Sequence, residues 1–280
     1  MPSKEYDNLL TQAMSGNIHA FQSLFQRFHE ELKSYLYRLT ANRADAEDIS
    51  HDTFIKAFDQ LSSFQGKSSL KTWVFSIATN HARNELKKRK RWVEDVKTQS
   101  KEMVQAVPAL ADQIMRVNDT SAYGRFEIKE HIDTCFTCMA KTLPIENQIA
   151  IILKDIYDFS ISEIMTILDR TEGTTKYLVQ NARNTLNDIF ERRCAFVNKA
   201  GVCNQCSELN GWLNPRQNVQ EEKMKIRMIR DAKKVGAEKL FKLRINLVKS
   251  INPLNSDGNE LQETLLRCNR LVVGEEQLTD

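Results

Sequence analysis

The sequence predicts an all-α protein: two small helical domains, a linker between them, and a C-terminal extension that carries a long helix. Three observations support that class. Glycine and proline are scarce, nine and five in 280 residues, so few tight turns punctuate the chain. Apolar residues recur at helical spacing, as in Phe21, Leu24, Phe25, Phe28 and Leu32. Residues suited to helix capping stand just ahead of such runs, as Ser69 does before the helix of Trp73.

Composition bounds the answer further. Charged residues make up 28% and hydrophobic ones 41%, a globular balance that excludes wholesale disorder. No apolar stretch approaches the roughly 20 residues that cross a bilayer, so no membrane insertion is expected. The polar start, Met1 to Leu10, lacks the apolar run of a secretory signal, which points to a cytoplasmic protein with reduced thiols.

Four segments follow from the pattern. Residues 1–92 show helical spacing throughout, including Phe54, Ile55, Phe58 and Leu61, then Trp73, Val74, Ile77 and Ala78. Residues 93–125 lose the period, and Pro108 interrupts them. They read as a linker with at most a short helix around Leu110 to Met115. Residues 126–193 are helical again, with breaks at Pro144 and near Ser160 and Thr171. Residues 194–280 begin with a loop-rich stretch containing Gly201, Gly211 and Pro215. A charged helix is expected from about Val219 to Ile251, then turns at Asn252-Pro253 and Asp257-Gly258, then a short final helix.

The net charge of +3 is too small to point to nucleic acid, but its distribution does. Lys87, Lys88, Arg89, Lys90 and Arg91 form a continuous basic run at a predicted helix end, beside Trp92. Such a run neutralises phosphates and releases counterions, although a solvated charged face explains it as well. Upstream, the polar loop Phe64-Gln65-Gly66-Lys67-Ser68-Ser69 joins an aromatic-rich helix with Lys71 and Trp73. Rings and polar groups of this kind can hold an unpaired strand, while Trp73 and Phe75 fit a core equally. Asp45, Glu47, Asp48 and Asp52 load the first turns of another helix with carboxylates. They suit the helix dipole and offer an acidic face to a basic partner. In residues 126–193, Ser160 to Leu168 reads as one helix, Asp169-Arg170-Thr171 as a turn, and a second helix starts near Glu172. That is a helix-turn-helix layout. Tyr177, Leu178 and Leu186 read as core.

These stretches together resemble the sigma-70 superfamily, and within it the compact extracytoplasmic-function (ECF) type of bacterial sigma factor. Asp45 to Phe58 resembles the region 2 helix that docks on core RNA polymerase. The resemblance implies Asp45, Asp48, Ile49, Asp52 and Phe54 as polymerase contacts. Phe64 to Ala78 resembles the promoter-melting segment, and Asn80 to Arg91 the helix that meets the −10 element. Phe64, Gln65, Lys67, Ser68, Lys71, Trp73, Asn80, Arg83 and the run from Lys87 to Arg91 are thereby implied as contacts to promoter DNA. Ser160 to Arg183 is similar to sigma region 4, which implies that Thr174, Thr175, Lys176, Gln180 and Arg183 approach the −35 element. Two positions depart from that pattern. Asp169 stands where the turn usually has glycine, a site Asp can fill in left-handed geometry, and Thr175 stands where an apolar residue is usual.

Six cysteines complete the inventory. His131, Cys135 and Cys138 share one helical face at i, i+4, i+7, and Cys194, Cys203 and Cys206 follow in the loop-rich stretch. Thiols and imidazole at these spacings suit zinc, although no cofactor is required by the main reading. Ile132, Phe136 and Met139 around Cys135 suit a buried helix instead. Cys268 reads as structural or free. The expected function is a non-enzymatic sigma factor that takes core polymerase, promoter DNA and an anti-sigma factor as partners. The sequence has no Gly-rich phosphate loop, HExxH or nucleophile elbow. A stand-alone helix-turn-helix regulator with metal- or redox-responsive cysteines is the alternative, and it leaves residues 1–92 without a role.

Overall fold

A computed structural model describes residues 4–120, 128–194, 237–256 and 258–278, and among them every regular element is helical. The chain opens with α1 (Lys4–Met14), α2 (Ile18–Gln26) and α3 (His29–Thr40). Asn17 caps α2 by accepting from the His19 and Ala20 amides. Next come α4 (Arg43–Asp59), capped by Asn42, and α5 (Leu70–Lys87), whose cap is Ser69, its Oγ accepting from the Thr72 amide. Helices α3, α4 and α5 pack against one another around Phe21, Leu32, Tyr35, Leu36, Val74 and Phe75, all fully buried.

Residues 93–125 depart from the expected linker. They form α6 (Val96–Ala106) and α7 (Pro108–Thr120). Pro108 is the first residue of α7, where its fixed φ suits a helix start and its missing N–H costs nothing. The buried residues Val96, Leu110 and Ile114 need a cover, which the last helix provides.

The second block comprises α8 (Ile128–Ala140), α9 (Ile145–Ile151), α10 (Ile161–Leu168) and α11 (Glu172–Arg193). Helix α9 runs on into a π turn over Ile152–Ile156, closed by the Tyr157 amide donating to the Ile152 carbonyl at 3.2 Å. A capping box of Ser160 and Glu163 starts α10. Asp169 ends it at φ 54, the left-handed geometry expected at the glycine-like position, and Thr171 caps α11.

Of the C-terminal extension, α12 (Ala237–Lys249) and α13 (Asn259–Val273) are described. The loop-rich stretch and the expected helix before residue 237 lie outside the described residues. Helix α12 packs on α8, and α13 packs on α6, α7 and α8.

One hydrophobic core runs through all three parts, joining Leu36 and Phe75 to Phe136, Ile151 and Phe159, and on to Val248 and Leu254. At its centre Arg38 of α3 is 1% exposed. Its guanidinium pairs with Asp133 of α8 at 2.7 Å and donates to Tyr157 Oη at 2.8 Å. It also donates to the main-chain carbonyls of Val248 and Ile251 at 3.1 and 3.0 Å. Burial disfavours the guanidinium's charge, but Asp133 and Tyr157 outweigh it and hold Arg38 above its ordinary range.

A second buried cation sits nearby. Lys141 donates to the Thr40 carbonyl at 3.1 Å, lies 5.1 Å over the Trp92 ring and stands 3.6 Å from Glu275. Burial pushes its ammonium down to about 8, with Glu275 opposing.

Two predictions follow from these buried charges. Arg38→Met should lower stability by about 3–5 kcal/mol in denaturant unfolding, because Asp133 is left buried and unpaired. Arg38→Met with Asp133→Leu should recover most of that loss. Lys141 has a depressed folded pKa, so between about 8 and about 10.4 the unfolded chain binds the extra proton. Its contribution to stability therefore rises with pH across that window and is flat below it. The stability difference between the parent and Lys141→Met should shift by about 3 kcal/mol over the same range, since each pKa unit is worth about 1.4 kcal/mol.

Candidate nucleic-acid and polymerase interfaces

Three surfaces gather the residues singled out in the sequence. The first is the outer side of α4, where Glu47, Asp48, His51 and Asp52 are exposed. Beside it lies a cleft of about 370 Å³ lined by Phe25, His29, Lys33, Glu47, His51 and Phe54. Two residues expected on this surface belong elsewhere. Ile49 is buried in the core, and Phe54 is half-buried against Phe21 and Phe25, with ring centroids 5.2 and 5.1 Å away. The exposed apolar side chain here is Ile55, on the face of Asp48 and Asp52 at helical spacing. Asp45, one turn before Asp48 on the same face, is half-buried and pairs with Arg89 at 2.6 Å, holding that guanidinium above its ordinary range.

The second surface runs from the loop before α5 to the basic run. Gln65, Lys67, Asn80, Lys87, Lys88, Lys90 and Arg91 are exposed, and Ser68 is half-exposed. Helix α5 stops at Lys87, so Arg89, Lys90 and Arg91 lie past the helix end rather than on it. The rings are not free to take bases. Phe64 is buried against the half-buried Trp73, at 5.3 Å between centroids. Trp92 is buried too, its Nε1 donating to Glu275 at 2.9 Å.

The second block lies across this helix. Thr72 Oγ1 donates to Glu163 at 3.1 Å, and Phe75 meets Phe159 at 4.9 Å. Lys71, paired with Glu31, also stands 4.8 Å over the Phe159 ring. Arg83 lies 3.6 Å from Glu146, and Arg91 donates to the Thr142 carbonyl at 2.9 Å.

The third surface is the start of α11, with Glu172, Gly173, Thr174, Lys176, Tyr177 and Gln180 exposed. Two sequence assignments exchange places here. Thr175 is fully buried, its hydroxyl donating to the Thr171 carbonyl at 2.9 Å, so it cannot reach a duplex. Tyr177, expected in the core, is 66% exposed. The helical phase signals both, because Thr175 continues the buried stripe of Leu178, Val179, Ala182 and Leu186 while Tyr177 falls outside it. Arg183 is held by both carboxylate oxygens of Asp155, Nε donating at 2.8 Å, and so is turned toward the π turn.

The cysteine face of α8 points into packed structure. His131 and Cys138 are buried, and Asn269 donates to Cys138 Sγ at 3.7 Å. Burial and the nearby Lys97 charge hold the His131 imidazole well below its ordinary range. Cys194 lies 3.6 Å from the Arg244 guanidinium. Among the described residues no three His, Cys, Asp or Glu side chains are placed to hold a metal ion. Cys203 and Cys206 lie outside the described residues. No described helix is long and apolar enough to cross a membrane.

An acidic helix face, a basic helix end and a helix-turn-helix on one all-α frame define a helical protein of the nucleic-acid-binding type. Residues 24–92 match the family Sigma-70 region 2. The chain is 25% identical over 194 residues to the RNA polymerase sigma-H factor of Pseudomonas aeruginosa, covering 68% of this chain and 97% of that protein. It is 27% identical over 182 residues to the ECF RNA polymerase sigma-E factor of Escherichia coli, covering 64% and 91%. Among solved structures it is similar to the sigma factor RpoE in complex with the anti-sigma factor NepR from Bartonella quintana. That match has a TM-score of 0.43 and 22% identity, covering 61% of this chain and 96% of that one. Residues 24–92 thus match Sigma-70 region 2, and over about two thirds of its length the chain is similar to RNA polymerase sigma factors, an ECF member among them. About a third of it has no counterpart in the alignment with the sigma-H factor.

Proposed function

We propose that the protein is a sigma factor that brings core RNA polymerase to promoters and opens them. The observation that carries this reading is the family match over residues 24–92. It spans both the acidic face of α4 and the basic end of α5 on one rigid bundle. The acidic stripe of Asp48 and Asp52, with Ile55 at its end and the adjoining cleft, takes a basic helical surface of the polymerase. Gln65, Lys67, Ser68, Asn80, Lys87, Lys88 and Lys90 take the −10 region. Phosphate contacts there supply affinity, and the loop takes the unpaired strand. Helix α11 enters the −35 major groove by its first turns, with Thr174, Lys176, Tyr177 and Gln180 toward the bases. An anti-sigma factor is a further partner of this reading, by analogy with the complex just described. A stand-alone regulator would leave the acidic face and the region 2 match without a use.

Run-off transcription with sigma-free core polymerase on a genomic DNA library tests the whole. Discrete start sites that depend on added protein are expected, and their absence at low salt would end the reading. On the promoters so found, Tyr177→Ala should weaken binding of the −35 duplex by about 1–3 kcal/mol, the usual worth of a base contact, and leave thermal stability unchanged. Thr175→Val should leave duplex affinity unchanged, because that side chain faces the core. Gel-shift titration separates the two variants.

A further inference from the structure

We infer that the C-terminal segment is a built-in latch that holds the second block over one flank of α5, so that the chain at rest offers its −35 helix and shields Lys71, Thr72 and Arg83 of its −10 helix. This rests on the sigma-factor reading above and adds to it a role for the C-terminal segment.

The two DNA surfaces are in opposite states. The first turns of α11 are open to solvent, with Tyr177 among the most exposed large hydrophobic side chains described. Helix α5 is covered along one flank, while Asn80 and Lys87 stay exposed. Glu146 stands at Arg83, the Thr142 carbonyl at Arg91, Glu163 at Thr72 and the Phe159 ring at Lys71. An anionic or electron-rich group of the second block thus occupies places where DNA phosphate would have to sit. A nucleic-acid strand can reach Arg83 and Lys71 only by displacing these groups.

The C-terminal segment secures that arrangement from the far side. The Val248 and Ile251 carbonyls accept from Arg38 of the first block, and the Leu254 carbonyl accepts from Arg43 at 3.3 Å. Arg270 donates to the Ala41 carbonyl. Glu275 joins Trp92, at the end of the first block, to Lys141 of the second. Lys249 pairs with Asp158 of the second block. The segment therefore grips each block separately, and its packing is lost if they part. Opening costs these contacts, and a partner that binds only the open form recovers that cost through its own contacts.

The test uses the full chain and a fluorescein-labelled DNA single strand of random sequence at low salt. Glu275→Gln removes the counter-charge of Lys141 and weakens the tie to Trp92. Lys249→Glu sets two like charges at a surface tie and leaves the core untouched. Each should raise single-strand affinity, the first by about tenfold, a typical size for coupling between two states. Affinity for a −35 duplex should stay unchanged in both. Cooperative thermal unfolding identifies any variant that has lost its fold, and Lys249→Glu then carries the test alone. Equal single-strand affinity in the parent and the folded variants, with start-site selection intact, would overturn the latch and leave the sigma reading standing. If parent and variants alike fail to direct transcription, the sigma reading falls and takes the latch with it.

Discussion

Arg38 is the point on which the three parts of the chain converge. It comes from the first block, finds its counter-charge on the second and donates from the same nitrogen to two carbonyls of the C-terminal segment. Taking a guanidinium and a carboxylate out of water is expensive, and an apolar pair of the same shape could be as stable. What the pair adds is specificity. A buried charge has one arrangement in which every donor is satisfied, and departures from it leave a group stranded. Tyr157 and Ser34 share in the network, with Tyr157 Oη 2.7 Å from the serine hydroxyl. The relative placement of α3, α8 and the turn after α12 is thereby fixed together.

That constraint explains why one flank of α5, at Lys71, Thr72 and Arg83, is shielded while the first turns of the helix-turn-helix stand open. With α8 held to α3, the helices that follow are carried over α5. Helix α11 projects its first turns away from the contact. Charges on and just past α5 that would otherwise repel one another are compensated internally by Glu31, Glu146 and Asp45. The modest net charge of the chain reflects such pairing of opposite signs and does not mean that basic residues are few.

Much of the architecture was legible because it is local. Helical spacing marks α2 to α5, and Ser160, Asp169 and Thr171 announce the ends of α10 and the start of α11 through capping chemistry alone. What could not be read depends on partners far away in the chain. Val96, Leu110 and Ile114 look like the sparse apolar residues of a linker until α13 arrives to cover them. Phe64 and Trp92 look like rings for stacking bases, and only Trp73, Glu275 and Lys141 make them interior. Thr175 and Tyr177 were misread for a different reason. The resemblance to sigma region 4 implies Thr175 at the DNA, while the phase of the helix puts Thr175 inside and Tyr177 outside.

The π turn at Ile152–Ile156 carries a consequence of its own. A residue inserted into a helix rotates everything beyond it by about 100°. Here the rotation falls between Ile151, which faces the shared core, and the pair Asp155 and Tyr157, which answer Arg183 and Arg38 on different sides. A regular α-helix of the same sequence would aim at most one of those two side chains correctly. Excising a single residue from this turn would uncouple α11 from the central arginine.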